Sequence, residues 1–368
     1  MPLMKCYEWL RRRDFAQLLA GSVALQFLPG TAQATVHPFT SGIKLSLQVS
    51  SDPTPEELQF VQQMGVGYVN IPGNAATCSY ENYARLKQKV EAAGLKVWNI
   101  GNTSVHNMEE VTLNLPGRDQ KIAEYQQFLR NLGRAGIFYT TYAHMGNGIW
   151  SSPPETTRGG ATARAFDMNQ GGAGTWAGKT FNPPLSHGRV FTEEEIWENY
   201  TYFIKRVTPV AEEAGVRIGI HPDDPPVPVL GGVPRCIFGN FKGYVRAMEI
   251  ANSPNVGICL CCGTWLEGGQ FTGATVLQMI DHFGKQNKIW KIHFRNVSAP
   301  LPHFVETFQD NGYMDMYKIM KALRQVKFDG CVIGDHFPGT VGGKYVPVAY
   351  SIGYMRALVE RANAEVKD

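Results

Sequence analysis

Four residues that can bind a metal ion each end a short apolar run in the second half of the chain. They are His221, Cys261, His293 and Asp335, and each run contains isoleucine. Two imidazoles, a thiolate and a carboxylate make a mixed ligand set. Such a set disfavours Mg²⁺ and Ca²⁺, which prefer oxygen ligands, and suits Mn²⁺, Fe²⁺, Co²⁺ or Zn²⁺. The pattern predicts a transition-metal site if the fold brings the four ends together.

Each of the four residues has an ordinary structural explanation when it is taken alone. A lone cysteine is usually a small buried apolar side chain, and an aspartate at a strand end often caps the next helix. Four such residues at the ends of consecutive strands favour a shared site over coincidence. Cys262 competes with Cys261 as the ligand. Neighbouring residues of a strand point in opposite directions, and Cys261 shares a face with Cys259 nearer the strand end, so Cys261 is the predicted ligand.

The elements that would position these residues appear as an alternation of strand-like and helix-like segments. Amphipathic segments separate eight runs rich in β-branched and aromatic residues, at 43–49, 68–71, 96–100, 137–144, 216–221, 256–261, 288–294 and 331–335. Strict alternation predicts a parallel sheet, and eight units close a single (β/α)8 TIM barrel. The alternative is an open doubly wound sheet. That fold normally has a glycine-rich turn after its first strand, whereas residues 50–53 are Ser-Ser-Asp-Pro.

Two long segments follow the fourth and fifth predicted strands and would lie on the catalytic face of a barrel. The first runs from residue 146 to about residue 193 and is rich in Gly, Ser, Thr and Pro, and the second runs from 222 to about 239. Loops of this length are usually lids or substrate-binding excursions. The sequence shows no internal repeat and no second domain.

The first 34 residues have the composition of an export signal. A charged start leads into a short apolar stretch, which ends at the small-x-small site Ala32-Gln33-Ala34. Arg12-Arg13-x-Phe15 is typical of a twin-arginine signal, whose pathway exports folded proteins. We therefore expect 1–34 to be a removable signal peptide, 35–368 to be the catalytic domain and the mature protein to be periplasmic or exported. The alternative is a frayed amphipathic helix at the N-terminus.

Charge and composition exclude several classes of partner. The formal net charge of the 368 residues is +3, and the expected signal peptide accounts for +2 of it. A nearly neutral mature chain has no electrostatic footprint for nucleic acid or anionic membrane. No internal apolar run reaches the roughly 18 residues that span a bilayer. The seven cysteines lack the regular spacing of a disulfide scaffold. A small-molecule partner is therefore expected, and a homo-oligomer is left open.

Several longer strings surround the candidate ligands and extend through most of the chain. The most specific are HPDDPP at residues 221–226 and HFRNV at 293–297. Others are GVPR at 232–235, CCGT at 261–264, GYMDM at 312–316 and DH at 335–336. In these strings, from about Leu45 to Leu358, the chain resembles the mannonate dehydratase family of xylose-isomerase-like barrels.

The resemblance implies loss of water from D-mannonate to give 2-keto-3-deoxy-D-gluconate. A base removes the weakly acidic C2 proton, an acid protonates the leaving C3 hydroxyl, and the metal stabilises the enediolate. By motif, the Mn²⁺ ligands of the family fall on the same four residues. Its proton-transfer residues fall on His336, directly after Asp335, and on Tyr350, farther along the chain, and which of the two is the acid stays open. The implied substrate contacts are Arg295, Arg158 and His106.

The chain departs from the family pattern next to the substrate rather than at the metal. Ile333-Gly334 replaces an Arg-Pro pair, and Tyr142-Ala143-His144-Met145 replaces an Asn-Phe-Met-Pro type of string. Two other functions therefore remain alternatives, a sugar isomerase or epimerase on the same barrel and a non-catalytic sugar-binding protein. Formation of a 2-keto-3-deoxy acid from aldonates would distinguish the dehydratase from both.

Overall fold

The structure is a computed structural model that describes residues 42–367, and the expected signal peptide lies outside this range. The strands are β1 (Ile43–Gln48), β2 (Tyr68–Ile71), β3 (Lys96–Ile100), β4 (Tyr139–Tyr142), β5 (Ile149–Thr156), β6 (Thr162–Asp167), β7 (Ala173–Trp176), β8 (Lys179–Phe181), β9 (Arg217–Ile220), β10 (Val229–Leu230), β11 (Val233–Pro234), β12 (Val256–Cys261), β13 (Ile289–His293), β14 (Asn296–Val297), β15 (His303–Thr307) and β16 (Gly330–Ile333). The α-helices are α1 (Pro55–Gln63), α2 (Tyr80–Ala92), α3 (Glu109–Thr112), α4 (Arg118–Arg134), α5 (Glu193–Ala214), α6 (Phe241–Ala251), α7 (Cys262–Gly268), α8 (Val276–Lys285), α9 (Met316–Gln325) and α10 (Tyr345–Glu365).

Eight of the strands form one parallel sheet in the order β3-β2-β1-β16-β13-β12-β9-β4. The two end strands approach each other, and the Thr140 hydroxyl on β4 donates to the Ile100 carbonyl on β3 (3.0 Å). At least one helix follows each strand of this sheet along the chain. The predicted single (β/α)8 TIM barrel is confirmed, and the open doubly wound alternative is not the observed fold.

The barrel strands match the eight predicted runs because both of their faces are covered. Every residue of β12, β13 and β16 is buried, which explains why these strands read as nearly continuous apolar runs. The helices begin where the sequence supplies caps. Thr54 and Glu57 form a reciprocal capping box at the start of α1, and Thr192 and Glu195 form another at the start of α5.

The segment after β4, predicted as a long loop, is instead largely folded into antiparallel strands. β5, β6, β7 and β8 join β14 and β15 in a six-stranded sheet of order β14-β15-β6-β5-β7-β8. This sheet, here called the insert sheet, combines two insertions that follow different barrel strands. Its β15–β6 pairing joins residues far apart in sequence, such as Phe304 and Phe166. The second long segment contains the short hairpin β10–β11. None of the described helices is long and apolar enough to cross a membrane.

Candidate active site

Three of the four predicted metal ligands converge at the carboxyl ends of neighbouring strands. One ligand atom from each of His221, Cys261 and His293 lies within 4.8 Å of the other two. Cys261 is paired in register with His293 across β12 and β13, and His221 follows β9, the strand on the other side of β12. All three residues are buried. We call these residues the ligand trio.

The imidazole of His221 is fixed by a hydrogen bond on its far side. Its Nδ1 donates to the carbonyl oxygen of Pro222 (2.7 Å), so the lone pair of the neutral ring lies on Nε2. Backbone acceptors of this kind orient the ligand histidines of metal sites. The His221 and His293 ring centroids are 5.1 Å apart.

Asp335, the fourth predicted ligand, stands beside the trio. Its Oδ1 lies 3.3 Å from Nδ1 of His293. Asp335 does not, however, belong to the group of residues whose ligand atoms lie within 4.8 Å of one another. Its backbone is in the left-handed region, with φ at +69°, directly after Gly334 at the end of β16. A non-glycine residue there is strained, and such strain persists where the surroundings hold the residue in place.

The surroundings of Cys261 favour its thiolate. Burial opposes ionisation, but the nearby Arg295 guanidinium and the two ligand histidines together hold the pKa of the Cys261 thiol well below its ordinary value. Nη2 of Arg295 lies 3.4 Å from Sγ, and the backbone N–H of Thr264 also donates to Sγ (3.4 Å). Cys262, by contrast, begins α7 within the hydrophobic core, and burial raises the pKa of its thiol. The cysteine placed with the two histidines is therefore Cys261.

Arg295 is the centre of a buried ion-pair cluster, whereas the sequence suggested that it contacts substrate. It is 2% exposed, and its Nη1 lies 2.6 Å from both Glu267 and Glu306. Its Nη2 lies 3.3 Å from Asp224. Arg164 on β6 contacts the same three carboxylates, at 2.5 Å for Asp224 and 3.1–3.2 Å for the other two. Arg295 therefore contacts acidic side chains of the protein, and the insert sheet is tied to the end of the barrel that carries the ligand trio.

The three acids in this cluster do not share one charge state. Burial opposes ionisation of Glu306, but Arg295 and His336 outweigh it and lower the pKa of Glu306 to about 2. Burial and the neighbouring Asp224 raise the pKa of Glu267 to about 8. Near neutral pH, a protonated Glu267 leaves two carboxylates opposite two guanidinium groups. Such pairing is needed because isolated buried charges are very costly.

His336 faces the same region and has a carboxylate on each side. Its Nδ1 lies 2.7 Å from Oε2 of Glu306, and its Nε2 lies 3.2 Å from Oδ2 of Asp335. Burial favours the neutral ring, but the two carboxylates raise the pKa of His336 to about 9. The side chain remains 48% exposed, so this ring is open to a molecule above the ligand trio.

Tyr350 and Arg158 form a second, more exposed cluster. Both Nη atoms of Arg158 bind Asp310 (2.6 and 3.3 Å), and Nη2 also reaches the Tyr350 hydroxyl (3.4 Å). The guanidinium lies over the ring of Phe308, 4.7 Å from its centroid. Within residues 42–367, no hydrogen bond or ion pair links Tyr350 to the four predicted ligands. The predicted proton-transfer and substrate roles of Tyr350 and Arg158 stay predictions.

His106, the remaining predicted substrate contact, follows β3 and faces the ligand histidines. Its Nδ1 donates to the Thr141 carbonyl (2.9 Å), and its ring stacks on Trp176 of the insert sheet with centroids 5.1 Å apart. Burial, together with the charges of His221, Lys291 and His293, lowers the pKa of His106 to about 3. A neutral ring with a free Nε2 can accept a hydrogen bond from a hydroxyl group.

Arg164, Glu267 and Glu306 were not anticipated from the sequence. Arg164 and Glu306 lie on β6 and β15, within insertions whose pairing has no local pattern. Glu267 lies in α7, six residues after Cys261, on a helix in which every residue is buried. A charged residue inside an apolar helix was the available signal, since acids are seldom fully buried without a partner.

Comparison with known proteins agrees with the strings around the ligands. The chain is 34% identical to a mannonate dehydratase of Streptococcus equi subsp. zooepidemicus over 297 residues, which cover 76% of this chain and 79% of that protein. It is 31% identical to a mannonate dehydratase of Thermotoga neapolitana over 305 residues, covering 76% and 82% of the two chains.

Solved structures show the same similarity in three dimensions. The crystal structure of mannonate dehydratase from Streptococcus suis serotype 2 matches with a TM-score of 0.77 at 28% identity, covering 88% of this chain and 95% of that one. A xylose isomerase domain protein from Planctomyces limnophilus matches at 13% identity with a TM-score of 0.58, which shows a shared fold. The sequence model of the D-mannonate dehydratase family matches residues 49–174 and 179–364. The chain therefore belongs to the D-mannonate dehydratase family.

Proposed function

We propose that this chain is a metal-dependent dehydratase that converts D-mannonate to 2-keto-3-deoxy-D-gluconate and water. The observation that carries the proposal is the ligand trio at adjacent strand ends, with His336 open to the space above it. Family membership narrows the chemistry to dehydration of a sugar acid. The carboxyl ends of barrel strands are where barrel enzymes place their active sites.

We propose that His221, Cys261, His293 and Asp335 hold the metal, and that the metal is Mn²⁺. The donor set fits a divalent transition ion, because the imidazole of His221 presents Nε2 and the surroundings of Cys261 lower the pKa of its thiol. Asp335 is the carboxylate beside the trio, with its Oδ1 3.3 Å from Nδ1 of His293. When bound, the metal supplies Lewis-acid stabilisation of the negative charge that develops on the substrate.

The proposed reaction breaks the C2–H and C3–O bonds of the aldonate and forms a C2–C3 double bond. The C2 proton passes to a basic side chain, and the C3 hydroxyl takes a proton and leaves as water. The enol that remains takes up a proton at C3 and releases the proton of its C2 hydroxyl, which gives the 2-keto-3-deoxy acid. We assign the two proton transfers to His336 and Tyr350. Glu306 holds the His336 ring through Nδ1, and Nε2, which faces Oδ2 of Asp335, is the nitrogen that we assign to the proton exchange.

A panel of aldonates and uronates, incubated with the purified protein and Mn²⁺, tests the proposal. The assay is formation of a 2-keto-3-deoxy acid, measured by periodate–thiobarbiturate colour and confirmed by NMR. We expect D-mannonate to give the product, a chelator to stop the reaction and added Mn²⁺ to restore it. Isomerisation or epimerisation of sugars without loss of water would instead support the alternative function on the same barrel.

We also propose that residues 1–34 direct export through the twin-arginine pathway. The support is the Arg12-Arg13-x-Phe15 string and the small-x-small site at residues 32–34. An enzyme that folds around a metal in the cytoplasm suits a pathway that carries folded proteins.

A further inference from the structure

A buried lysine, for which residues 42–367 supply no carboxylate partner, lies inside the barrel below the ligand trio. Lys291 precedes His293 by two residues on β13, so both side chains project from the same face of the strand. That face is the barrel interior, because His293 meets His221 and Cys261 there. Lys291 is 5% exposed. No hydrogen bond or ion pair of its amino group exists within residues 42–367.

The interior layer around Lys291 contains no carboxylate partner. The strand register places Cys259 on one side of Lys291 and Cys331 on the other. The Cys331 thiol donates to the hydroxyl of Ser46 (2.6 Å), and the Asn70 amide donates to the same hydroxyl (2.8 Å). The Cys331 thiol, the Ser46 hydroxyl and the Asn70 amide are neutral groups that can solvate an ammonium only weakly. In the described chain, no acidic oxygen lies within 4 Å of the Lys291 amino group.

The other buried cations near the site, Arg164 and Arg295, do have acidic partners. Arg164 and Arg295 each contact three carboxylates. An unpaired ammonium in the same interior is destabilising, and a methionine of similar length would remove the penalty. The chain therefore holds Lys291 at a cost to stability, as proteins do at sites that bind an oppositely charged ligand.

Lys291 lies on the barrel-interior face of β13, two residues before His293 of the ligand trio. The charge of Lys291 is one of the causes that lower the pKa of both His106 and the Cys259 thiol. Lys291 lies about 7 Å deeper along β13 than His293, at a rise of about 3.3 Å per residue. A ligand held by the trio would extend its charged end towards this ammonium.

We propose that Lys291 binds the carboxylate of the aldonate and selects sugar acids over neutral sugars. The inference rests on the proposed function, since it assumes an anionic substrate above the ligand trio. A carboxylate accepts a strong charge-assisted hydrogen bond from an ammonium. Its two oxygens offer about four lone pairs, so contact with Lys291 leaves others for a metal. The substrate thus supplies the carboxylate that the residues around Lys291 do not provide.

Lys291→Met tests the proposal, with Lys285→Met as the matched control. Lys285 also carries one positive charge, but it lies on the surface of α8 in an exposed pair with Asp281. The probes are D-mannonate and D-mannitol, which has hydroxyls but no carboxylate. KM for D-mannonate and ligand-induced shifts in melting temperature are measured after metal content is shown to be equal.

For Lys291→Met we expect D-mannonate binding to weaken about 10- to 100-fold, the range for loss of a hydrogen bond to a charged group. Binding of D-mannitol and the metal content should stay as in the wild type, and Lys285→Met should change neither ligand's affinity. Unchanged D-mannonate affinity, or equal weakening of D-mannitol, would overturn the inference. D-mannonate binding without dehydration by the wild type would overturn the proposed function alone, and no D-mannonate binding would overturn both.

The stability of the ligand-free variant gives an independent readout. Without metal or substrate, Lys291→Met should melt at the same temperature as the wild type or higher, because it removes an unpaired buried charge. A lower melting temperature with well-formed secondary structure would mean that the lysine has a structural partner. That result would also overturn the inference.

Discussion

Replacement of Arg295 with glutamine should be among the most destabilising single substitutions near the site. The guanidinium is 2% exposed and lies 2.6 Å from both Glu267 and Glu306 and 3.3 Å from Asp224. Its loss leaves the buried acids of the cluster with Arg164 and, beside Glu306, His336 as the remaining cations. Removal of one partner from a buried ion pair costs about 3–5 kcal/mol, and Arg164 keeps the expected value near the lower end of that range.

The matched control is Arg158→Gln, which removes another arginine bound through two nitrogens to a carboxylate. The Arg158 side chain is 45% exposed. Water can therefore solvate the new glutamine and the Asp310 carboxylate after the substitution. Exposed ion pairs contribute about 1 kcal/mol or less. The two substitutions therefore have similar hydrogen-bond chemistry but differ in burial.

Urea denaturation of both variants in a chelating buffer measures this difference without a contribution from metal binding. We expect Arg295→Gln to lower the free energy of unfolding by at least about 2 kcal/mol more than Arg158→Gln does. It should also weaken metal binding about 10-fold, since Cys261 loses the cation that favours its thiolate. Equal destabilisation by the two variants would refute the assignment of Arg295 to a buried charge cluster.

Three further predictions concern stability against pH, proton transfer and export. Burial lowers the pKa of His144 from 6.5 to about 3, so its contribution to stability is full above pH 6.5 and is lost as the pH falls towards 3. His144→Phe should flatten this part of the profile of unfolding free energy against pH, and an unchanged profile would contradict the shift. His336→Asn and Tyr350→Phe should keep the metal and each lower kcat at least about 100-fold, whereas full turnover in either variant would exclude that residue from proton transfer. Joint replacement of Arg12 and Arg13 with lysine should leave the protein in the cytoplasmic fraction, and unchanged export would argue against a twin-arginine signal.

The barrel was predictable because its signals are local. The strands β12, β13 and β16 are buried on both faces and appear in the sequence as short apolar runs between helical segments. The carboxyl ends of adjacent parallel strands meet at one end of the barrel, which is why His221, Cys261 and His293 could be grouped from their positions alone.

The insert sheet and the charge cluster were not predictable, because their contacts join residues that are distant along the chain. β6 pairs with β15 across more than a hundred residues, and the Gly- and Pro-rich composition of the first insertion suggested a loop. The partners of Arg295 come from positions 224, 267 and 306, which only the fold brings together. The sequence indicated that Arg295 could pair with a carboxylate but not with which one, because its nearest acids in space are distant along the chain.

The metal content and turnover of Cys261→Ser and Cys262→Ser test the central claim most directly. The two cysteines are adjacent in sequence and both are buried, but only Cys261 lies with His221 and His293. We predict that Cys261→Ser loses both the metal and the dehydration of D-mannonate. Cys262→Ser should keep one metal per chain and its activity. Full metal occupancy in Cys261→Ser, or loss of metal from Cys262→Ser alone, would contradict a metal site built from these strand ends.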